Sequence, residues 1–366
     1  MKSPLLLRTQ RRSFLALTAA LTSALLSCQS RTSNPSETSS EIGSASSSTD
    51  PVVLNGAGAS FPALLYYRWF SDYQTINPSV QINYQSVGSA AGIQQIMDGT
   101  VDFGASDVAM TDAEMAEVAA GVILIPMTAG SVVVAYNLPG VKSGLHLDRS
   151  TLAGIFFGEI SRWNEASIAA TNPDVTLPDL EIVVVYRADG SGTTATFTRH
   201  LSAISARWQE QVGAGVAVNW PVGVGAKGNE GVSAQVQLVE GVIAYVEYAY
   251  ANELGLQVAA LENQAGNFIP PTPEAAATTL SEIELPENLR AFQPDPVGAE
   301  AYPIVTYTWI LAYANYPDLQ TAMALKQALS WALSEGQASS AELGYLPLPP
   351  SVVDRALGAV EKISAS

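Results

Sequence analysis

Ile182-Val183-Val184-Val185-Tyr186-Arg187-Ala188-Asp189-Gly190-Ser191-Gly192-Thr193-Thr194 passes from an unbroken β-branched run into a turn of small and hydroxyl residues. Such a short apolar run is the pattern of a strand covered on both faces. Phe197, Leu201, Ile204 and Trp208 follow at helical spacing, so the turn joins a strand to a helix. The same grammar recurs upstream. Val52-Val53-Leu54 reads as a strand ending in the turn Gly56-Ala57-Gly58-Ala59-Ser60-Phe61-Pro62, with Phe61, Leu65 and Trp69 at helical spacing. Val80-Gln81-Ile82-Asn83-Tyr84 alternates as a strand and ends at Gly88-Ser89; Ile93, Ile96 and Met97 then form a helical stripe closed by Gly99. Val101-Asp102-Phe103-Gly104 is a further strand, followed by Ala105-Ser106-Asp107. Repeated strand–turn–helix units predict an α/β fold around mostly parallel sheets with helices on both faces.

Each turn places small residues and hydroxyls where a helix begins, and there the unpaired N–H groups and the positive end of the helix dipole favour an anion. Taken singly, Ser60, Ser89 and Thr193 read equally well as ordinary N-caps. Taken together, at the carboxyl ends of strands, they point into one crevice. Arg187 offers a fork of donors suited to a tetrahedral oxyanion, and Asp189 stands where it could hold that fork; the plain alternative is a surface ion pair. Asp107 would repel a bare anion. It fits a ligand that still carries a proton, because an ionised carboxylate only accepts hydrogen bonds.

Other chemistries find less support. Gly223-Val224-Gly225-Ala226-Lys227-Gly228 matches the dinucleotide pattern G-x-G-x-x-G, with Glu247 about 20 residues further on. Trp220-Pro221 breaks the preceding run and no βαβ pair surrounds the motif, so it reads as a turn. No hydroxyl turn is G-x-S-x-G. The two histidines, His146 in a loop beside Asp148 and His200 within a helix, read as solvated surface residues. A secreted phosphatase or hydrolase using the same anion site is the enzymatic alternative, but it lacks a recognisable nucleophile pair or metal set. No cofactor is expected.

The 366 residues carry 17 Lys plus Arg against 34 Asp plus Glu, a net charge of −17, which excludes a broad nucleic-acid surface. With 48% hydrophobic and 14% charged residues the chain has ample core material, and its length suits two lobes. One cysteine and two histidines exclude an internal disulfide framework and a four-ligand Cys/His metal cluster.

Lys2, Arg8, Arg11 and Arg12 precede an apolar run from Phe14 to Leu26 that is too short to span a membrane and has the layout of a secretory signal. Arg11-Arg12-Ser13-Phe14-Leu15 has the look of a twin-arginine signal. Leu25-Leu26-Ser27 before Cys28 resembles a lipobox, which predicts cleavage after residue 27 and lipidation of Cys28. Residues 28–50 form a Ser/Thr-rich tether with a span of roughly 25 Å. Cleavage leaves 13 basic against 34 acidic residues, a mature charge of −21.

Gly56 to Ala63, Gly88-Ser89-Ala90-Ala91-Gly92, Val101 to Asp107 and Arg187 to Thr193 closely resemble the phosphate-binding proteins of high-affinity ABC phosphate importers. So do Gly241-Val242-Ile243-Ala244-Tyr245-Val246-Glu247-Tyr248-Ala249-Tyr250 and Gly344-Tyr345-Leu346-Pro347-Leu348-Pro349. The resemblance implies a two-lobed periplasmic binding protein, type II-like, with two crossing hinge segments. Residues 51–133 and 304–366 would form lobe I and 134–303 lobe II, with crossings at Val132 to Tyr136 and Ile304 to Thr308. It implies a phosphate site of Ser60, Phe61 (through its N–H), Ser89, Asp107, Arg187, Asp189, Ser191, Gly192 and Thr193, with no metal and no catalysis. Tyr186 stands where such proteins often carry a second basic residue, leaving Arg187 as the cation of the site. The implied partners are inorganic phosphate and the ABC permease subunits. A monomer in the periplasm or cell envelope is expected; tethering varies among such proteins, and the Cys28 lipobox points to a membrane-anchored form.

Overall fold

An apolar strand is buried on both faces only where helices cover both, and the chain alternates accordingly. The first half contains β1 (Val52–Gly58), α1 (Ala63–Ile76), β2 (Val80–Ser86), α2 (Ser89–Met97), β3 (Phe103–Ser106), α3 (Asp112–Ala116), β4 (Val122–Tyr136), β5 (His146–Leu147), α4 (Arg149–Phe157) and α5 (Ala166–Thr171). The next stretch contains β6 (Val183–Arg187), α6 (Gly192–Ile204), α7 (Ala206–Gln211), β7 (Val224–Ala226), α8 (Gly228–Leu238), β8 (Val242–Glu247) and α9 (Tyr248–Glu253). Short strands β9 (Gln257–Val258), β10 (Ala260–Glu262) and β11 (Phe268–Ile269) precede α10 (Pro273–Glu282), and β12 (Val305–Tyr313) returns the chain to the centre. This computed structural model describes residues 51–366. The signal segment 1–27, Cys28 and the tether to residue 50 lie outside the described residues. Among the described residues no helix is long and apolar enough to cross a membrane.

The main sheet runs β2-β1-β3-β12-β4-β8-β6-β7. Its outer strands pair in parallel, β1 with β2 and β3, and β6 with β7 and β8. The seam is antiparallel: β12 lies between β3 and β4, and β4 continues onto β8. The fifteen residues of β4 change partner within the strand, from β12 up to Ser131 to β8 from Val132. A nearly fully buried strand of this length needs the largely apolar sequence it has, interrupted by Pro126, Thr128, Gly130 and Ser131, because both faces meet core. Val305 pairs with Ser131 and the Val132 N–H donates to Ile304 O, so the two segments expected to cross meet only at Val132 and Ile304; Val132 to Tyr136 runs on along β8, while Val305 to Thr308 pairs with Ser131 to Thr128.

Several expectations shift. Gly56 and Gly58 belong to β1 rather than to the turn after it. Their lack of a side chain serves packing: a Cβ on Gly56 would meet the Phe103 ring at 2.1 Å, and one on Gly58 would meet Ala105 O at 2.0 Å. Val101 and Asp102 precede β3, with the Asp102 carboxylate accepting the Asn55 N–H at 2.7 Å. The helix after Arg187 stops at Ile204, and Trp208 sits on α7, capped by Ser205.

His200 is not a surface residue. It is buried in α6 with Nδ1 against Pro294 O at 2.8 Å, and burial lowers its pKa to about 4. His146 lies in β5, its ring stacked on Phe268 with centroids 4.4 Å apart, while Asp148 caps α4 through the Thr151 N–H. Gly223 to Gly228 is not a turn: Val224–Ala226 is the edge strand β7, Gly228 opens α8, and β8 follows with β6 between the two strands. A strand–helix–strand unit therefore does surround it. Trp220 does not interrupt the strand but stands ahead of it, stacked on Tyr186 at 5.2 Å and on Tyr245 at 5.5 Å.

Candidate functional site

Four strand-to-helix junctions converge: β1 to α1, the β2 to α2 turn, β6 to α6, and β7 to α8. None of Ser60, Ser89 and Thr193 caps its helix. Pro62 stands at the cap of α1, Gly88 at that of α2, and Ser191 at that of α6, where its Oγ accepts the Thr194 N–H at 3.1 Å. The three buried hydroxyls are thereby released from helix capping and turn toward one another's loops.

Ser89 Oγ accepts from Asp107 N at 3.2 Å and Gly192 N at 3.0 Å, and it donates to Asp107 Oδ2 at 3.3 Å. Asp107 Oδ1 accepts from Thr308 Oγ1 at 2.8 Å. Arg187 ends β6, with only 4% of its surface exposed, and grips Asp189 through two bonds: Nε to Oδ1 at 2.8 Å and Nη2 to Oδ2 at 2.5 Å. Its Nη1 donates to Thr193 Oγ1 at 3.3 Å, and its N–H donates to Tyr245 Oη at 3.0 Å. This is a buried bidentate pair, not a surface one. The Gly228 N–H donates to Asp189 Oδ1 at 3.0 Å, so the G-x-G-x-x-G stretch ends against this site rather than an open crevice. Phe61 is buried; its carbonyl accepts from Tyr345 Oη at 2.7 Å, which fixes the chain just ahead of α1.

Burial raises Asp107 to about 7, against the hydrogen bond from Thr308, the charge of Arg187 and the bond from Ser89. Burial also opposes the charge on Asp189, but the Arg187 pairing outweighs it and holds that carboxyl below its ordinary value. Burial drives the Glu247 carboxyl, at the end of β8, well above the ordinary range. The site thus holds one buried guanidinium, a carboxylate locked to it, and a second carboxyl poised near neutrality among hydroxyl and N–H donors.

Two outcomes follow from this geometry. Between pH 4 and 7 folded Asp107 keeps a proton that the unfolded chain has released, so its contribution to stability falls as pH rises through that window. Asp107→Asn removes this slope. At about 1.4 kcal/mol per unit, urea unfolding should find the ligand-free variant up to about 4 kcal/mol more stable than the parent above pH 7, the excess fading below pH 4; equal slopes would refute it. Gly192 is also a contact point. A Cβ there would lie 2.5 Å from Asp107 Cβ and 2.6 Å from Ser89 Oγ. Gly192→Ala should therefore weaken ligand binding by about 5- to 150-fold, since overpacking costs about 1–3 kcal/mol. Titration within threefold of the parent would contradict it.

Hydrogen bonds draw Ser60, Ser89, Asp107, Arg187, Asp189, Gly192 and Thr193 together, while Phe61 and Ser191 stand beside them as chain neighbours, Ser191 with its N–H on Val216 O and its Oγ on the Thr194 N–H. The structure adds Asn229, buried at the start of α8, and Thr308 in β12. Asn229 was within reach of the sequence. It follows Lys227-Gly228 at a strand-to-helix junction, the same local signature as the other three. Thr308 carried no local signal.

A family model of the PBP superfamily domain matches residues 44–335. The phosphate-binding protein PstS of Xylella fastidiosa is 41% identical over 309 residues, covering 83% of this chain and 84% of that protein. The protein of the same name from Methanocaldococcus jannaschii is 37% identical over 336 residues, covering 85% and 86%. Among solved structures, the high-affinity periplasmic phosphate-binding protein PfluDING bound with phosphate superposes with a TM-score of 0.66 at 20% identity, covering 83% of this chain and 92% of that one. A phosphate-binding protein from Stenotrophomonas maltophilia gives 0.67 at 20% identity, covering 84% and 93%. These structures share the two-lobed α/β fold. Matched along most of its length by that domain and by relatives near 40% identity, the chain belongs to the PBP superfamily and, within it, to the PstS phosphate-binding proteins.

Proposed function

We propose that this protein captures inorganic phosphate between two lobes and delivers it to an ABC importer. One observation carries the reading: a buried acceptor, Asp107, sits among hydroxyl and N–H donors beside a single locked guanidinium. Donors and Arg187 complement an oxyanion, while Asp107 needs a proton from it. Hydrogen phosphate and dihydrogen phosphate supply that proton; sulfate does not. The ligand groups are Ser60, the Phe61 N–H, Ser89, Asp107, Arg187, Asp189, Ser191, Gly192 and Thr193.

Lobe I comprises 51–133 and 304–366, and lobe II comprises 134–303. The side-by-side strands near Ser131 and Ile304 are the hinge, and the Ser89–Gly192 contact belongs to the closed form. Closure excludes water and strengthens each charge-assisted bond. The role is binding rather than catalysis. Export through residues 1–27, a lipid anchor at Cys28 and the 28–50 tether hold a monomer in the cell envelope, within reach of permease subunits.

Isothermal titration with phosphate, sulfate and molybdate tests the reading. Binding of one phosphate per chain with no sulfate heat is expected. Absence of heat at millimolar phosphate would overturn it.

A further inference from the structure

Asn229 lies outside the set of ligand groups, yet it touches more of the site than most of them. It is fully buried, the second residue of α8. Its backbone N–H and its Nδ2 both donate to Ser60 Oγ, at 3.0 and 2.9 Å. Nδ2 also reaches Thr193 Oγ1 at 3.4 Å. On the other side Oδ1 accepts the Glu247 N–H at 3.1 Å. That last contact decides the orientation of the amide. A backbone N–H can only donate, so the oxygen must face Glu247 and the NH2 must face the two hydroxyls.

A hydroxyl has two lone pairs and one hydrogen. Both lone pairs of Ser60 Oγ are occupied by Asn229. Those of Thr193 Oγ1 are occupied by Asn229 Nδ2 and by Arg187 Nη1 at 3.3 Å. Each oxygen has only its O–H left to offer. Ser89 is also saturated as an acceptor, by Asp107 N and Gly192 N, but its O–H is given to Asp107 Oδ2. We infer that Asn229 is a positioning residue which saturates Ser60 and Thr193 as acceptors and so commits both hydroxyls to donate to the bound anion. The inference rests on the phosphate reading and adds the device that sets the polarity of two of its ligand groups.

A hydroxyl with free lone pairs can rotate and accept the ligand's proton as readily as it can donate. With Ser60 and Thr193 held as donors and Ser89 fully engaged with Asp107 and Gly192, none of the three hydroxyls accepts the ligand's proton, which is left to the carboxylate of Asp107. The amide at Asn229 is thus a determinant of specificity as well as affinity, although it need not touch the anion.

The test is a double-mutant cycle on phosphate affinity, measured by isothermal titration up to millimolar phosphate. It compares the parent, Asn229→Ala, Ser60→Ala with Thr193→Val, and all three together. Asn229→Ala alone should weaken phosphate binding about 30-fold, two hydrogen bonds' worth of orientation. Added to the Ser60→Ala, Thr193→Val background it should change affinity less than threefold, because the hydroxyls through which it acts are gone. Equal losses in both backgrounds overturn the assignment. Should Asn229→Ala not fold, Asn229→Asp keeps the shape, the backbone donor and the acceptor for Glu247 N–H while replacing the amide donors with a carboxyl oxygen. It should lose at least about tenfold, and binding within twofold of the parent overturns the assignment. A parent protein that gives no phosphate heat overturns the phosphate reading and this assignment together; a parent that binds while the losses add overturns this assignment alone.

Discussion

Arg187→Ala is expected to abolish phosphate binding at micromolar concentrations and to destabilise the ligand-free protein. The guanidinium is buried, and both carboxylate oxygens of Asp189 depend on it, at 2.8 and 2.5 Å. Removing one partner of a buried pair leaves the other uncompensated, which costs about 3–5 kcal/mol. Asp189, whose side chain is only 11% exposed, then presents an unbalanced negative charge to the anion. For binding, the same range corresponds to a loss of about two to four orders of magnitude in affinity. Arg187→Lys separates charge from shape. A lysine keeps the charge but cannot fork onto Asp189 while reaching Thr193, so it should recover only part of the loss. Titration calorimetry and urea unfolding on the three proteins read both quantities. An Arg187→Ala protein binding within tenfold of the parent would remove Arg187 from the site.

The parts of the site written in short local stretches were legible before any coordinates. Ser60, Ser89 and Arg187 to Thr193 each sit at a strand-to-helix turn, and a turn announces itself within about seven residues through glycine, hydroxyls and the change of hydrophobic period. What assembles those turns is not local. Thr308 meets Asp107 because β12 inserts between β3 and β4, bringing together residues 201 apart in the chain. Periodicity carries no information about that pairing. His200 shows the same limit from the other side. Its helix was readable, but which face lies against Pro294 depends on a loop about ninety residues away. Gly223 to Gly228 failed for a different reason: Trp220-Pro221 suggested an interrupted strand, whereas the aromatic ring packs on Tyr186 and Tyr245 and the strand begins beyond it. The overall acidity proved uninformative about the ligand. A site of buried dipoles and one guanidinium is governed by atoms within a few ångströms, and surface charges beyond about 8 Å are screened.

Asp107→Asn should narrow the preference for phosphate over sulfate by at least about 100-fold, mostly by admitting sulfate. In the parent, sulfate would bring an oxygen with no proton against a buried carboxylate that is already held by Thr308 and Ser89. Sites built to hydrogen-bond a substrate group reject analogues lacking it by about four to five orders of magnitude, because the buried partner is left unpaired. An asparagine can turn its NH2 toward the anion, so the repulsion becomes a hydrogen bond and sulfate gains. Phosphate loses an acceptor for its proton yet keeps Arg187 and the hydroxyl donors, so its own affinity should fall by about tenfold or less. The pH dependence distinguishes this from general damage. With Asp107 titrating at about 7, rising pH through neutrality ionises the acceptor and should weaken the parent's sulfate binding, while in the asparagine variant neither residue 107 nor sulfate titrates there. Competition titrations of phosphate against sulfate at pH 6 and pH 8 read both effects. Unchanged selectivity in the variant, or a variant whose sulfate affinity still falls between those two pH values as the parent's does, would place the proton acceptor elsewhere.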